Sequence, residues 1–492
     1  MSKEKVLVAG AGIAGLGAAL ALSGGARDVI LLDRDPPPPD ASPEEAFYNW
    51  ERRGATQLRH SHAFLGRLTS LIRDRYPDLL EELLAEGTRL FGFADGLPPP
   101  LKDKYIAAPG DDDLRLLFSR RSTLELVMRR YAGRLPGITF LADRGVRGLL
   151  TRREGGKLIV EGLQVERDGR LEEMTADVVV DASGRNTMFP EWFRQAGIDV
   201  REEASPCGIL YFTRHYRLRE GQSEPVMDGT PGGGDLGYLK FGVFIADNRH
   251  FSVTLATPEI ETEMRKAVVR PETFDAICMA LPGAARWMNP ERSEPVSPVY
   301  SMGSLQNVWR HYLKDGEPQV SGFFPLGDAA LRTNPLYGRG CSSGVVEAHM
   351  LRDALDVSSD PVERIKLYER AIEKGIRPYF DSMVKLDLQA IRRAAHERDP
   401  HYTPRLRARI MKSFADDALT PAQRGDLEVS RALSRIFHML DEPSTLLKRP
   451  SVIARLLKMW ATPKATKRSM DYYPPILGPN RDAMLSRLDL QT

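Results

Sequence analysis

The feature that most limits what this chain can fold into lies near its start. Val6-Leu7-Val8-Ala9, a short β-type run, leads into Gly10-x-Gly12-x-x-Gly15, a small-residue helix through Leu22, and a second buried-strand run over Asp28–Asp33. In that β-α-β order the glycines let the backbone approach a pyrophosphate, and the helix N-terminus attracts it with about half a positive charge. Asp33, 18 residues beyond Gly15, is placed to bind a ribose hydroxyl. Ile13, Ala14 and Arg34 sit in the same turns and join the candidate cofactor contacts. Val6–Ala26 is also uncharged for 21 residues behind Lys3 and Lys5, but its six glycines argue against a signal peptide or spanning helix. The expectation is a mature, cytoplasmic N-terminus.

At 492 residues the chain is about three times a single-domain prior of ~150, so two or three lobes are expected. A net charge of +2 removes any global electrostatic case for binding nucleic acid. Cys207, Cys278 and Cys341 are too scattered for a disulfide framework or a Cys-rich zinc site, which favours a reducing compartment.

Past the tetraproline at Pro36–Pro39, helices are predicted over Phe64–Glu86 and Ser122–Arg134. Short strands follow at Ile138–Leu141, Gly148–Arg152, Lys157–Val165 and Asp177–Asp181. A second sheet is predicted from Ile209–Leu218, Tyr238–Ala246 and His250–Thr257. In its last strand Phe251, Val253 and Leu255 alternate with Ser252, Thr254 and Ala256, the pattern of a sheet covering a core or a cavity on one face. A strand at Phe323–Leu326 and a helix over Ser342–Leu355 come next, and the remainder reads as helical.

The fingerprint alone does not choose between NAD and FAD; three distant segments do. Residues 323–344, FFPLGDAALRTNPLYGRGCSSG, join a strand to Gly327-Asp328 and a turn through Pro335, Gly338 and Gly340 into a helix that starts near Cys341. Such a turn presents backbone N–H groups, while Asp328 can accept from a ribityl or ribose hydroxyl. Val178-Val-Val-Asp181-Ala-Ser-Gly184-Arg185 is a middle motif, and Arg121 in SRRSTLELVMRR stands three residues before Leu124 and seven before Met128. With the fingerprint, these segments resemble the group A FAD-dependent monooxygenases, the superfamily of aromatic hydroxylases and of squalene- and polyether-epoxidase-like flavoproteins.

The resemblance covers roughly residues 1–355 and implies an α/β fold: a GxGxxG Rossmann-type FAD domain interleaved with a β-sheet substrate domain, plus C-terminal helices. The expected division is FAD domain over 1–185 and 301–355, substrate domain over 186–300, and a helical region over 356–492. It implies FAD bound by Gly10, Gly12, Ile13, Ala14, Gly15, Asp33, Arg34, Arg121, Asp181, Gly184, Gly327, Asp328, Pro335, Gly338, Gly340 and Cys341, with Arg120 and Arg121 both open as the FAD arginine. The implied activity is insertion of one oxygen atom from O2, by hydroxylation or epoxidation through a flavin C4a-hydroperoxide, into an apolar or aromatic small molecule. NADPH or NADH is the implied donor. Asp181-Ala182 stands where many hydroxylases carry Asp-Gly, which puts direct reduction by the nicotinamide in doubt. The same scaffold serves flavin reductases or desaturases of the geranylgeranyl-reductase type and flavin-dependent halogenases, although the Trp-x-Trp-x-Ile-Pro segment of the latter is absent here. A catalytically idle flavoprotein serving as a binding partner is a further alternative.

Gln57-Leu-Arg59-His60-Ser-His62 resembles a loop that approaches the flavin in epoxidase-like members. Arg59 could hold a flavin carbonyl or phosphate, and His60 or His62 could donate to an oxygen. No Asp/Glu/His cluster completes a metal set around this pair, so no metal is expected. On the strand 209–218, Tyr211 and His215 share a face and are candidates for orienting a substrate; Arg59, His62 and Tyr211 make up the catalytic set, with Phe241 or Phe244 as an apolar wall. From Pro443 to Met470 there are seven Lys/Arg and no acid, while Val452, Ile453, Leu456, Leu457 and Trp460 repeat at helical spacing. Residues 446–468 could therefore lie on the inner face of a membrane, pack as an ordinary core-facing helix, or contribute to a homodimer contact.

Overall fold

The computed structural model describes residues 3–489. In chain order, the elements that position the site are β1 (Glu4–Ala9), α1 (Ile13–Leu22), β2 (Arg27–Leu32), α2 (Arg121–Ala132), β3 (Ile138–Leu141) and β4 (Val178–Asp181). They continue with β5 (Ile209–Leu218), β6 (Lys240–Ile245), β7 (His250–Pro258), β8 (Phe323–Pro325), α3 (Gly340–Val357), α4 (Arg377–Arg398) and α5 (Pro450–Ala461).

β8, β4, β1, β2 and β3 form one parallel sheet in that order. Buried on both faces, its strands need continuous apolar runs, which VLVA and VVV supply. The strand next to β4 comes from 142 residues later in the chain, measured from Asp181 to Phe323, so the sheet is completed only after an antiparallel one has been built between. That second sheet places β5 between β7 and the short strands 293–295 and 300–302, with β6 beyond β7. Phe212, Tyr216, Phe251, Val253 and Leu255 face an apolar core with Phe274, Ile277 and Trp287. The alternate residues face the other way, toward the parallel sheet.

Local chemistry explains where the elements depart from expectation. The helix predicted over 64–86 breaks into Gly66–Arg75 and Pro77–Ala85, because Pro77 has no N–H to continue the ladder and suits a first-turn position. A helix at Pro43–Asn49 was not predicted, yet Ser42 and Glu45 form a reciprocal capping box at its start.

The basic C-terminal segment packs inward. Val452 and Leu456 of α5 are buried with Ala422, Val429 and Ala432, while Leu457 remains 51% exposed. Among the described residues no helix is long and apolar enough to cross a membrane.

Candidate functional site

Between the two sheets lies a cavity of about 810 Å3, within the range for cofactor and ligand sites. At one end stands the turn between β1 and α1. Gly10 has φ +105°, and a Cβ there would stand 2.5 Å from the Ala182 carbonyl oxygen. A Cβ at Gly15 would stand 2.0 Å from the Gly10 carbonyl oxygen, so Gly15 lets the helix seat on the turn and does not itself line the cavity. Gly12 is open: a Cβ there would be 3.9 Å from Arg121 Nη2 and 4.0 Å from Arg52 Nη2.

Around this turn sits a buried charge network. Arg52 donates to Asp33 Oδ2 at 2.5 Å, to the Ala11 carbonyl at 3.1 Å and to Glu125 Oε2 at 3.3 Å. Burial opposes the Arg52 charge, but Glu125 and Asp33 more than offset it and its pKa lies above the ordinary value. Arg121 donates from Nε to Glu125 Oε1 at 2.6 Å and keeps a face on the cavity. Arg120 turns away: with Asp247 it forms a 2.6 Å ion pair whose side chains are 1% and 0% exposed. The structure thus brings Arg121, and not Arg120, to the cavity.

The opposite wall is the turn from β8 to α3. Gly327, Asp328, Pro335, Gly338, Gly340 and Cys341 all line the cavity, as do Ile13, Ala14, Asp33, Arg34 and Gly184. The Gly327 amide donates to Glu347 Oε2 at 2.7 Å, which fixes the turn from beneath. Burial raises the Asp328 carboxyl above its usual range against the opposing pull of Arg121, and pushes the Cys341 thiol up to about 11. Pro335 begins a turn capped by Asn334, whose side chain links Tyr211 to Asp387 of α4: Tyr211 Oη donates to Asn334 Oδ1, and Asn334 Nδ2 donates to Asp387 Oδ1 at 2.8 Å.

The floor is the inward face of the second sheet. Tyr211, Thr213, Thr254 and Ala256 line it, with Phe244 and Lys240 from β6; Lys240 donates to Asp235. Phe241 and Phe244 both line the cavity; Phe241, 6% exposed, also packs into the apolar core behind the sheet. His62 lines the cavity and its Nε2 lies 3.4 Å from Arg121 Nη1; burial, then Arg121, holds its pKa well below the ordinary value.

Two further expectations need correction. Arg59 does not reach the cavity: its guanidinium donates to the carbonyls of Phe47, Tyr48 and Trp50, where the unpredicted helix 43–49 ends and leaves acceptors unsatisfied. Asp181 lies behind the wall, fully buried, accepting from Ser183 Oγ and Thr187 Oγ1 at 2.5 Å each; it shapes the turn that puts Gly184 on the cavity, and burial raises its pKa.

Residues that sequence reasoning missed are Arg52, Asn334 and Asp387. None carries a local signature, since each acts through partners at least 53 positions away or through a loop. Among the described residues no group of three His, Cys, Asp or Glu side chains is placed to hold a metal ion.

The donor set suits FAD. Two helix N-termini, those of α1 and α3, face one cavity with free N–H groups, and two carboxylates, Asp33 and Asp328, stand at separate points along it. Arg332 Nε and Arg339 Nε, on residues of the same wall, are buried donors with no protein acceptor.

A parallel sheet carrying this fingerprint, with an antiparallel sheet over the cavity, is the fold of flavin-dependent monooxygenases and halogenases. The chain is similar to the flavin-dependent brominase Bmp2, with TM-score 0.61 and 16% identity over 93% of this chain and 99% of that one. It is also similar to p-nitrophenol 4-monooxygenase PnpA from Pseudomonas putida DLL-E4, with TM-score 0.57 and 15% identity over 90% and 99% of the two chains. In sequence it is 29% identical over 377 residues to Protein Rv3254 of Mycobacterium tuberculosis, covering 72% of this chain and 73% of that protein. No protein-family profile matches it.

Proposed function

We propose that the chain is an FAD-dependent monooxygenase that inserts one oxygen atom from O2 into an apolar or aromatic small molecule, with NADPH or NADH as electron donor. The observation that carries this reading is the single cavity with a dinucleotide fingerprint at one end and a largely uncharged sheet face at the other. In this reading residues 1–185 and 301–355 build the FAD lobe, 186–300 the substrate lobe, and 356–492 the helical cap.

Gly10 and Gly12 would admit the pyrophosphate to the α1 N-terminus, and Asp33 would meet the ribose. Arg121, oriented by Glu125, and Asp328 would hold the middle of the cofactor, and the Gly338–Cys341 turn would present backbone N–H groups to its ring end. Bound FAD supplies the activation of O2. The chain's own work is to bind, to orient the acceptor carbon and to keep water out; Tyr211, whose hydroxyl is committed to Asn334, acts by positioning that loop.

A second reading, a flavin-dependent halogenase, is supported by the likeness of the fold to that of the flavin-dependent brominase Bmp2. One set of turnovers separates the readings. Purified holoprotein is reduced anaerobically with NADPH or NADH and then exposed to isotope-labelled O2 with candidate aromatics, with and without bromide. Label in the organic product supports the monooxygenase; brominated product supports the halogenase; product with altered hydrogen content and no label supports a reductase or desaturase.

A further inference from the structure

A second cavity of about 270 Å3 lies against the first and shares His62, Ala63, Phe244 and Phe437 with it. It opens where β6 runs past the strand Gly233–Asp235, which pairs with Lys240–Gly242; the Val243 amide still donates to the Gly232 carbonyl at 2.7 Å, and Phe244 and Ile245 are left at the sheet margin. Phe91, Phe118, Val243, Ile245 and Trp287 make its wall, the first two rings stacked at 4.9 Å. Among the described residues its one Lys or Arg side chain is Arg286, which is committed to Asp228 and the Val226 carbonyl at 2.6 Å each.

The floor of the first cavity carries a continuous row of hydrogen-bonding groups. His60 Nδ1 is 3.2 Å from Thr213 Oγ1, which is 2.8 Å from Thr254 Oγ1, which is 2.7 Å from Ser61 Oγ. Burial lowers the His60 pKa to about 4, so the row is uncharged at neutral pH. It can donate to or accept from an oxygen, and the row itself carries no cation; the unpaired Arg332 and Arg339 donors belong to the wall that runs from β8 to α3, not to this floor. Lys240, the nearby amine on β6, is already taken by Asp235.

We infer that the substrate is an uncharged amphipathic molecule: an oxygen-bearing head, phenol, enol or carbonyl, seats on the His60–Thr213–Thr254–Ser61 row, and an apolar tail passes Phe244 and Phe437 into the second cavity. The inference rests on the monooxygenase reading for the word substrate; the ligand class stands on the two cavities. An apolar tail leaving water gains binding free energy in proportion to its length, whereas a single-ring ligand would leave the second cavity unused.

The test is binding of phenol, 4-butylphenol and 4-octylphenol to the holoprotein, followed by the visible spectrum of the bound flavin. The expected result is about fourfold tighter binding per added methylene. Val243→Phe and Thr230→Phe, two separate ways of filling the second cavity, should each remove most of that gain and leave the affinity for phenol unchanged. An absent gain in the wild type, or a gain that survives in both variants, overturns the inference. Tighter binding of 4-octylbenzoate than of 4-octylphenol overturns the uncharged head. A holoprotein that shows the gain and its loss in the variants, yet incorporates no labelled oxygen, supports the ligand class while removing the monooxygenase reading.

Discussion

Arg52 Nη1 stands 2.5 Å from Asp33 Oδ2, so the acid that ends the second strand is met by a cation 19 residues further along the chain. The same guanidinium reaches Glu125, which in turn holds Arg121. A loop, the fingerprint and α2 are thereby fastened together at the fingerprint end of the cavity.

Arg52→Met leaves Asp33 and Glu125 buried without their shared cation, and removal of one partner from a buried ion network costs about 3 kcal/mol. Urea unfolding should show that loss at pH 7, together with weaker retention of FAD. An unchanged midpoint would mean that the network does not hold the loop.

Arg120 and Arg121 are neighbours in sequence with opposite expected phenotypes. Arg121→Ala should weaken FAD binding about 10- to 100-fold, the worth of one charge-assisted hydrogen bond, as measured by fluorescence titration of apoprotein. Arg120→Ala strips the cation from buried Asp247 and should cost about 3 kcal/mol of stability, while the folded fraction binds FAD with unaltered affinity.

Gly10→Ala and Gly24→Ala separate collision from backbone strain. Both glycines have left-handed φ, +105° and +115°, but only at Gly10 does a Cβ meet a backbone atom, at 2.5 Å. Gly24→Ala should cost about 1 kcal/mol with normal flavin content. Gly10→Ala should cost at least about 3 kcal/mol and lower the ratio of flavin to protein absorbance.

Burial pushes the Glu347 carboxyl from 4.5 to about 7, and its Oε1 has no hydrogen-bond partner. The unfolded chain releases this proton first as pH rises, so the folded state loses stability between about pH 4.5 and pH 7. Glu347→Gln retains an acceptor for the Gly327 amide and removes the titration. Its stability relative to wild type should rise from pH 5 to pH 8, by up to about 3 kcal/mol. Parallel pH profiles for the two proteins would show that Glu347 does not titrate across this window.

What could be read directly from the chain was whatever is encoded within one or two elements. The β-α-β fingerprint, the alternation along β7 and the Gly327-Asp328 turn follow from short-range rules of side-chain period, glycine conformation and helix ends. The structure accordingly brings Gly12, Asp33, Arg121, Asp328 and Gly340 to one cavity. The helix at Pro43–Asn49 was missed, although its Ser42/Glu45 capping box is a local signal, and with it went the carbonyls that occupy Arg59.

Tertiary structure decided the rest, because a side chain's partners are set by packing between distant segments. The choice of Arg121 over Arg120 depends on Asp247, 127 residues from Arg120. Asp387, on a helix beyond the motif-bearing region, accepts from Asn307 at 2.7 Å and Asn334 at 2.8 Å, and so ties the C-terminal part of the chain to the cavity wall. The apolar stripe at Val452 and Leu456 has the same sequence whether it meets lipid or protein; the helices carrying Ala422 and Val429 occupy it. Sequence periodicity specifies that an apolar face must be covered, and the fold specifies what covers it.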